Sequence, residues 1–516
     1  MNIIDLFDHG ANYNSNGVCM RHGDWALSYG ECQDYSHRIG LALHAQDVGD
    51  DCKVGIYTPN HMMGLLAMLG VFRAGACLVT INAKNALDEN LFIMQNADLE
   101  WLFYHSAFEP VVEEIRSQVP SLRGLVCIDK PGDNAPSLEA WCANFEGRAP
   151  ALDDKPDRLS LLQSTGGTTG RPKASCLTDR SMEAMISNFM ISMPCEQPPV
   201  HLMVAPMTHA CMATGFLTLA QGGTNVFMDE VDVKVIMQMI ERHKVTHLFL
   251  PPTVIYVMLA HPDVREYDYS SLKYFLYLAA PMSADKLRQA IDVFGPVMVQ
   301  SFGQAEAPMI LTYMSVQDHL DALQPGNERR LLSCGRETPL TRVAIMDEEG
   351  NVLDCNQRGE IVIRGPLVMA GYYKNTEATA EASLFGWHHT GDIGYIDDEG
   401  FVFIVDRKKE MIISGGFNVF PSEIEQVIWS HPAVQDCAVI GVPDDKWGEA
   451  VKAVIEPVPG MTIDAGEIMA LCKEKLGSVK TPKSVDVCDS LPRSPVGKVL
   501  KKEIRKPYWV GHERAI

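Results

Sequence analysis

The stretch S-T-G-G-T-T-G-R-P-K at residues 164–173 places four hydroxyl side chains, three glycines and two cations within ten positions. An apolar run (Leu159, Leu161, Leu162) precedes it and reads as a buried strand, and a helical pattern begins near Ser181. Glycines let backbone N–H groups turn in on an anion, hydroxyls add donors, and Lys173 adds a point charge. These features predict a loop that grips phosphate. It is not the GxxxxGK[ST] pattern, because Arg171 and Pro172 stand between Gly170 and the lysine. Taken alone, the same composition also suits a plain surface turn, so its surroundings decide.

Working outward, two series of alternating strand-like and helical segments flank this loop. The first has strand-like runs at 54–58, 76–81, 101–104 and 124–129, with helices at 62–74 and 88–94. In the second, strands at 201–206, 224–228, 247–250, 274–279 and 297–301 alternate with helices at 211–220, 231–243, 253–260 and 283–294. Such alternation predicts mostly parallel sheets covered on both faces, with ligands at the carboxyl ends of the strands. The turns PMTH (206–209), LAAP (278–281) and FGQAE (302–306) share that position with the glycine-rich loop. Beyond about residue 328 the segments 342–346, 359–364 and 400–405 suggest a smaller β-rich region. The last hundred or so residues carry strands at 438–442 and 451–455 and helices at 424–430 and 467–476, a small α/β domain of their own.

Composition narrows the class. A chain of 516 residues with 46% apolar residues has material for more than one domain and for large cores. Its net charge of −22 argues against a general nucleic-acid surface, so any polyanion must meet a local positive site. Fourteen cysteines form no CxxC pair and read as reduced thiols of a cytoplasmic protein. No apolar run reaches the ~18 residues of a membrane span, and the first residues lack the pattern of a secretory signal.

The motifs STGGTTGRPK, FGQAE, HTGD (389–392), DRKKEMIISGGFNVFPSEIE (406–425) and the VGK of Lys498 occur in one order along nearly the whole chain. In this they resemble the adenylate-forming superfamily, most closely its AMP-forming acyl-CoA synthetases. The resemblance implies an α/β fold: a large N-terminal domain (1–405) of two α/β sheet subdomains plus a small β-rich region, a hinge at 406–409 with Lys409 at the hinge position, and a small mobile C-terminal α/β domain (410–516). It implies ATP, Mg²⁺ and coenzyme A, a small-molecule carboxylic acid as substrate, and allows a homodimer. An acid would attack the α-phosphorus of ATP, and a thiol would then displace AMP.

Carried over to this sequence, the resemblance gives the polyphosphate to Ser164, Thr165, Gly166, Gly167, Thr168, Thr169, Gly170 and Lys173. Adenine falls to Phe302, Ala279 and Ala280, with Gly303 and Gln304 among the cofactor-binding residues; the ribose falls to Asp392, the ribose and phosphate to Arg407, and the metal to Glu306. Lys498 matches the catalytic lysine, Gly415 and Gly416 the pair beside the thiol path, and His209 a residue bordering the acyl pocket. Trp447, Gly448 and Glu449 form a recurrent element read as structural. Met203, Met207, Met212, Met258, Met309 and Met314 read either as an adaptable wall for a large apolar acid or as core filling. Transfer to a carrier-protein pantetheine, an oxidative light-emitting relative and a non-catalytic adenylate binder stay open as alternatives.

The sequence departs from the pattern at Ala305, where threonine is usual, at Phe302 for tyrosine, at Ala174 for glycine and at Ser494 for threonine. None of these removes a charge or the metal ligand. Ala305→Thr is expected to tighten AMP binding by about 1 kcal/mol, one hydrogen bond; calorimetric titration with AMP measures it, and unchanged affinity in a folded variant would refute it.

Overall fold

The apolar run before the glycine-rich loop becomes strand Leu159–Ser164, and it sits inside a seven-stranded sheet. The order across that sheet is Gly371–Tyr372, Ala174–Thr178, Leu159–Ser164, Cys77–Asn82, Lys53–Thr58, Trp101–Tyr104 and Gly124–Cys127. In this computed structural model, residues 1–165, 172–228, 231–444, 446–494 and 497–510 are described. The strands drawn from the first alternating series pair in parallel, as βαβ alternation requires.

The helix expected near Ser181 is Asp179–Ser192, and the structure adds a strand ahead of it. The helix does not follow the loop directly; strand Ala174–Thr178 intervenes and pairs with Leu159–Ser164. Leu159–Ser164 and Ala174–Thr178 therefore form an antiparallel pair on either side of the loop. The A-S-C-L-T strand is buried on both faces, so no polar/apolar alternation marked it. Thr178 and Ser181 close a capping box that starts the helix only after the strand ends.

The second series forms a nine-stranded sheet ordered Arg336–Glu337, Ala307–Met314, Met298–Gln304, Tyr274–Tyr277, His247–Phe249, Val200–Met203, Thr224–Phe227, Val18–His22 and Trp25–Ser28. Two features go beyond the sequence reading. The N-terminal hairpin Val18–His22/Trp25–Ser28 joins this second sheet, not the first, by pairing in parallel with Thr224–Phe227. FGQAE lies at a hairpin, because Ala307–Met314 returns antiparallel beside Met298–Gln304. Glycine is required there: a Cβ on Gly303 would lie 2.4 Å from the Met309 amide nitrogen.

Strands Arg342–Met346, Gly359–Arg364, His388–Ile396 and Val402–Arg407 make a four-stranded antiparallel sheet. Its last strand carries Asp406 and Arg407, so the expected hinge begins inside a strand. Beyond it, helix Pro421–Trp429 and helix Ala465–Lys480 pack on a five-stranded sheet built around Val434–Asp444 and Gly448–Pro457. The methionines follow the core-filling reading: Met203, Met207, Met212 and Met309 are buried in one apolar cluster, and Met258 and Met314 in a second.

The feet of the two strands flanking the glycine-rich loop are tied together by charge. Arg158, just before the first strand, bonds Asp179, just after the second, at 3.1 Å, and bonds Asp50 at 2.9 Å. Ser160 Oγ also donates to Asp179. Arg158 and Asp179 are both buried, so removing one partner strands the other charge in the interior. Arg158→Ala is expected to lower unfolding stability by about 3–5 kcal/mol; urea denaturation followed by circular dichroism measures it, and a loss under ~1 kcal/mol would refute the anchoring role.

Candidate active site

A cavity of about 610 Å³ opens where the strand ends of the nine-stranded sheet, the four-stranded sheet and the C-terminal region meet. Ala279, Ala280, Phe302 and Gly303 line it, as do Asp392, Arg407 and Lys498. Ala279 adopts a left-handed conformation, φ +77°, which turns the chain sharply after strand Tyr274–Tyr277. A non-glycine residue held there is strained, a feature that clusters at binding sites.

Asp392 and Arg407 face each other across adjacent strands in register. Arg407 Nε bonds Asp392 Oδ1 at 3.0 Å. The other oxygen, Oδ2, is buried and has no hydrogen-bond partner among the described residues. Burial raises the carboxyl above its usual range, against the pull of Arg407 and Lys498, while the nearby Asp392 charge raises the Arg407 guanidinium further. An orphaned carboxylate oxygen in a cavity is an acceptor waiting for a donor, and vicinal ribose hydroxyls supply donors of that kind.

Lys498 reaches this cavity from a tight turn. Ser494 N donates to Lys498 O at 2.7 Å, and Gly497 N to Ser494 O at 2.8 Å. Gly497 has φ +84°, and a Cβ there would lie 2.9 Å from Thr253 Oγ1, so the turn docks directly on helix Pro252–Ala260. Burial and the neighbouring Arg407 lower the Lys498 ammonium; Glu410 and Asp392 oppose them. Behind it, Lys501 bonds Glu425 at 2.7 Å and lies 3.7 Å from Glu410. Burial pushes the Glu425 carboxyl up to about 7. Arg358 bonds Glu423 at 2.8 Å, tying the four-stranded sheet to helix Pro421–Trp429.

At the base of the glycine-rich loop, Thr165 N donates to Lys173 O at 2.8 Å and Lys173 N to Thr165 Oγ1 at 3.2 Å, which joins the two ends of the loop just after Ser164. Gly166, Gly167, Thr168, Thr169 and Gly170 lie outside the described residues. Gln304 Nε2 and His388 Nε2 are 3.0 Å apart. Glu306 Oε1 accepts from the Tyr372 hydroxyl at 2.8 Å, and among the described residues no group of three or more metal-ligating side chains occurs. As a carboxylate, Glu306 is a ligand of the type Mg²⁺ takes, one or two per ion, with the other oxygens drawn from water and phosphate. Tyr372 was not singled out from sequence: its strand is two residues long, too short for any periodicity.

Other expected residues stand apart from the cavity. His209 precedes helix Ala210–Ala220, its Nδ1 3.4 Å from Thr208 Oγ1, and burial pushes the imidazole down to about 4, so it is neutral at physiological pH. Gly415 and Gly416, both at positive φ, form the turn between Ile412–Ser414 and Phe417–Val419 and are not in the cavity wall. Gly415 N donates to Trp447 O at 2.8 Å, and a Cβ on Gly415 would lie 2.5 Å from the Trp447 ring. Trp447 thus braces this turn, a structural role as its sequence context suggests.

Residues 7–373 match the AMP-binding enzyme family, and residues 423–498 match the AMP-binding enzyme C-terminal domain. Among curated proteins, the chain is 35% identical over 509 residues to the medium/long-chain-fatty-acid–CoA ligase FadD8 of Mycobacterium tuberculosis, covering 96% of this chain and 88% of that one. It is 33% identical to the feruloyl-CoA synthase of an Amycolatopsis species, covering 96% and 97%. Among solved structures, ATP-bound MatB from Rhodopseudomonas palustris superposes with a TM-score of 0.88 at 27% identity, covering 99% of this chain and 100% of that one. The amide bond synthetase McbA from Marinactinospora thermotolerans gives 0.89 at 25%, covering 98% and 100%.

Asp392→Asn keeps the volume but removes the charge that faces Arg407. AMP affinity is expected to fall about tenfold or more, since hydrogen bonds to a charged group carry ~1.5–3 kcal/mol. Calorimetric titration with AMP measures it; affinity within twofold of the parent would remove Asp392 from the nucleotide site.

Proposed function

The chain belongs to the AMP-binding enzyme family, and on that premise we propose that it is an acid–thiol ligase that activates an apolar carboxylic acid with ATP and passes the acyl group to coenzyme A. In the first half-reaction a carboxylate oxygen bonds to the α-phosphorus of ATP, the α–β anhydride breaks, and pyrophosphate leaves. In the second, the thiolate of coenzyme A attacks the acyl carbon, and AMP leaves with the bonding electrons. The acid is already ionised at neutral pH, so no general base is needed for the first step. That accords with a neutral His209.

One observation carries the reading: Lys498 shares a cavity with Ala279, Phe302, Asp392 and Arg407, although it comes from a different part of the chain. Phe302 and the Ala279–Ala280 segment offer apolar surfaces that suit the two faces of adenine. Asp392 Oδ2 accepts from the ribose hydroxyls. Lys498 and Arg407 supply positive charge where negative charge builds on the α-phosphate, and a preorganised donor of this kind is worth most in a cavity that excludes water. Ser164, Thr165 and Lys173, with the loop between them, hold the polyphosphate. Mg²⁺, held by Glu306, would neutralise polyphosphate charge during the first step.

Residues 406–409 act as the hinge on which the C-terminal domain turns between the half-reactions, carrying Lys498 away and bringing Gly415 and Gly416 to the thiol path. Their distance from the cavity supports this, because they need a second arrangement to reach it. An apolar acid is supported by the fatty-acid and feruloyl relatives and by the absence of an added cation in the methionine-rich segments. We assign the protein to the cytoplasm: all fourteen cysteines are free thiols, and no described helix is long and apolar enough to cross a membrane.

Lys498→Ala separates this reading from a solvated-lysine role. Adenylation, read as ATP–pyrophosphate exchange with acid present, is expected to fall roughly 10²–10³-fold. Conversion of supplied acyl-adenylate and coenzyme A to thioester is expected to persist. Near-parental exchange would overturn the assignment, and equal loss in both steps would overturn the hinge.

A further inference from the structure

The phosphate end of the site is assembled from two antiparallel strand pairs that belong to different sheets. Lys173 follows the loop of the seven-stranded sheet, and Glu306 sits at the FGQAE turn of the nine-stranded one. The segment 369–373 is stitched to both. Met369 N donates to Glu306 O at 2.8 Å, while Ala370 N donates to Cys176 O at 2.9 Å and Tyr373 N to Ala174 O at 2.8 Å. Between these, Tyr372 pairs with Ser175 in register, and its amide donates to Thr379 Oγ1 at 2.9 Å.

The side chain of Tyr372 repeats the same bridge. Its hydroxyl donates to Glu306 Oε1 at 2.8 Å, and the Lys173 ammonium lies 4.7 Å from its ring centroid. We propose that Tyr372 is a positioning residue for adenylation, which holds Lys173 on its ring and Glu306 on its hydroxyl so that cation and carboxylate face the polyphosphate and metal without pairing with each other.

This rests on the assignment of ATP and Mg²⁺ to the site made above. A lysine and a glutamate in direct contact would satisfy each other, and each would then have to break that pair to engage substrate. The aromatic ring attracts the ammonium only weakly, by about 0.5–1 kcal/mol at an open site, so Lys173 stays near its place yet is released readily to phosphate. The hydroxyl engages Oε1 and leaves Oε2 without a hydrogen bond among the described residues. A phenolic hydroxyl is protonated at neutral pH, so it is the donor of this bond.

Two substitutions divide the bridge. Tyr372→Phe keeps the ring under Lys173 and removes only the donor to Glu306; Tyr372→Leu removes both. Calorimetric titration of the full chain with MgATP in the absence of acid, and with AMP as a probe lacking polyphosphate, reads binding without turnover. MgATP affinity is expected to fall about fivefold in Tyr372→Phe and by a further two- to fivefold in Tyr372→Leu. AMP affinity should stay within twofold in Tyr372→Phe. The Mg²⁺ concentration for half-maximal pyrophosphate exchange should rise in Tyr372→Phe, as it does in Glu306→Gln, and the double variant should be no worse than Glu306→Gln alone. Unchanged MgATP binding in Tyr372→Phe, or equal weakening of AMP and MgATP, overturns the positioning role. If Glu306→Gln itself leaves the Mg²⁺ dependence unchanged, the metal reading falls and this inference with it; if Glu306→Gln shifts it and Tyr372→Phe does not, only the inference falls.

Discussion

The Asp392–Arg407 pair is the constraint on which the site depends. It joins neighbouring strands of the four-stranded sheet at the last point before the chain leaves for its C-terminal region. Burying a carboxylate is costly unless it is paired and hydrogen-bonded, and here the pairing is only half complete. Arg407 makes the burial tolerable, and Oδ2 stays without a hydrogen-bond partner among the described residues. The same arginine feels Glu410 and Glu306, so one guanidinium is coupled to three carboxylates of the site.

Around that pair the charges balance locally in a chain that is strongly acidic as a whole. Asp392, Asp406, Glu410 and Glu425 are influenced by Arg407, Lys498, Lys501 and Arg505, four carboxylates against four cations. A polyanionic substrate therefore approaches a neutral cluster rather than the −22 of the chain. Burial alone would raise the Glu410 carboxyl, but Lys501, Lys498 and Arg407 outweigh it and hold Glu410 low. Most of the cluster's members come from the C-terminal region, so docking of that region and the electrostatics of the cavity are one event. The exposed part of the docking, including Arg358 with Glu423, adds only a modest ion-pair term.

Much of this was legible in the amino-acid sequence, and for a physical reason. Alternating apolar runs and amphipathic helices are local signals, so the parallel strands Lys53–Thr58, Trp101–Tyr104 and Thr224–Phe227 and the helices between them follow from periodicity. Motif chemistry is local too: a glycine- and hydroxyl-rich loop ending in lysine, an acidic turn and a Gly-Lys near the C-terminus carry their meaning in adjacent residues. Tertiary structure decided what depends on partners distant in the chain. Strand Ala174–Thr178 is buried on both faces and shows no alternation, so its pairing with Leu159–Ser164, rather than its own pattern, makes it a strand. The hairpin Val18–His22/Trp25–Ser28 joined the second sheet because its open edge matched Thr224–Phe227, some two hundred residues away. The methionines became core because the packing closed over them. The missing partner of Asp392 Oδ2, the turn that docks Lys498 on Thr253, and the bridge made by Tyr372 are distances between remote segments, which residue order does not encode locally and only the folded chain brings into being.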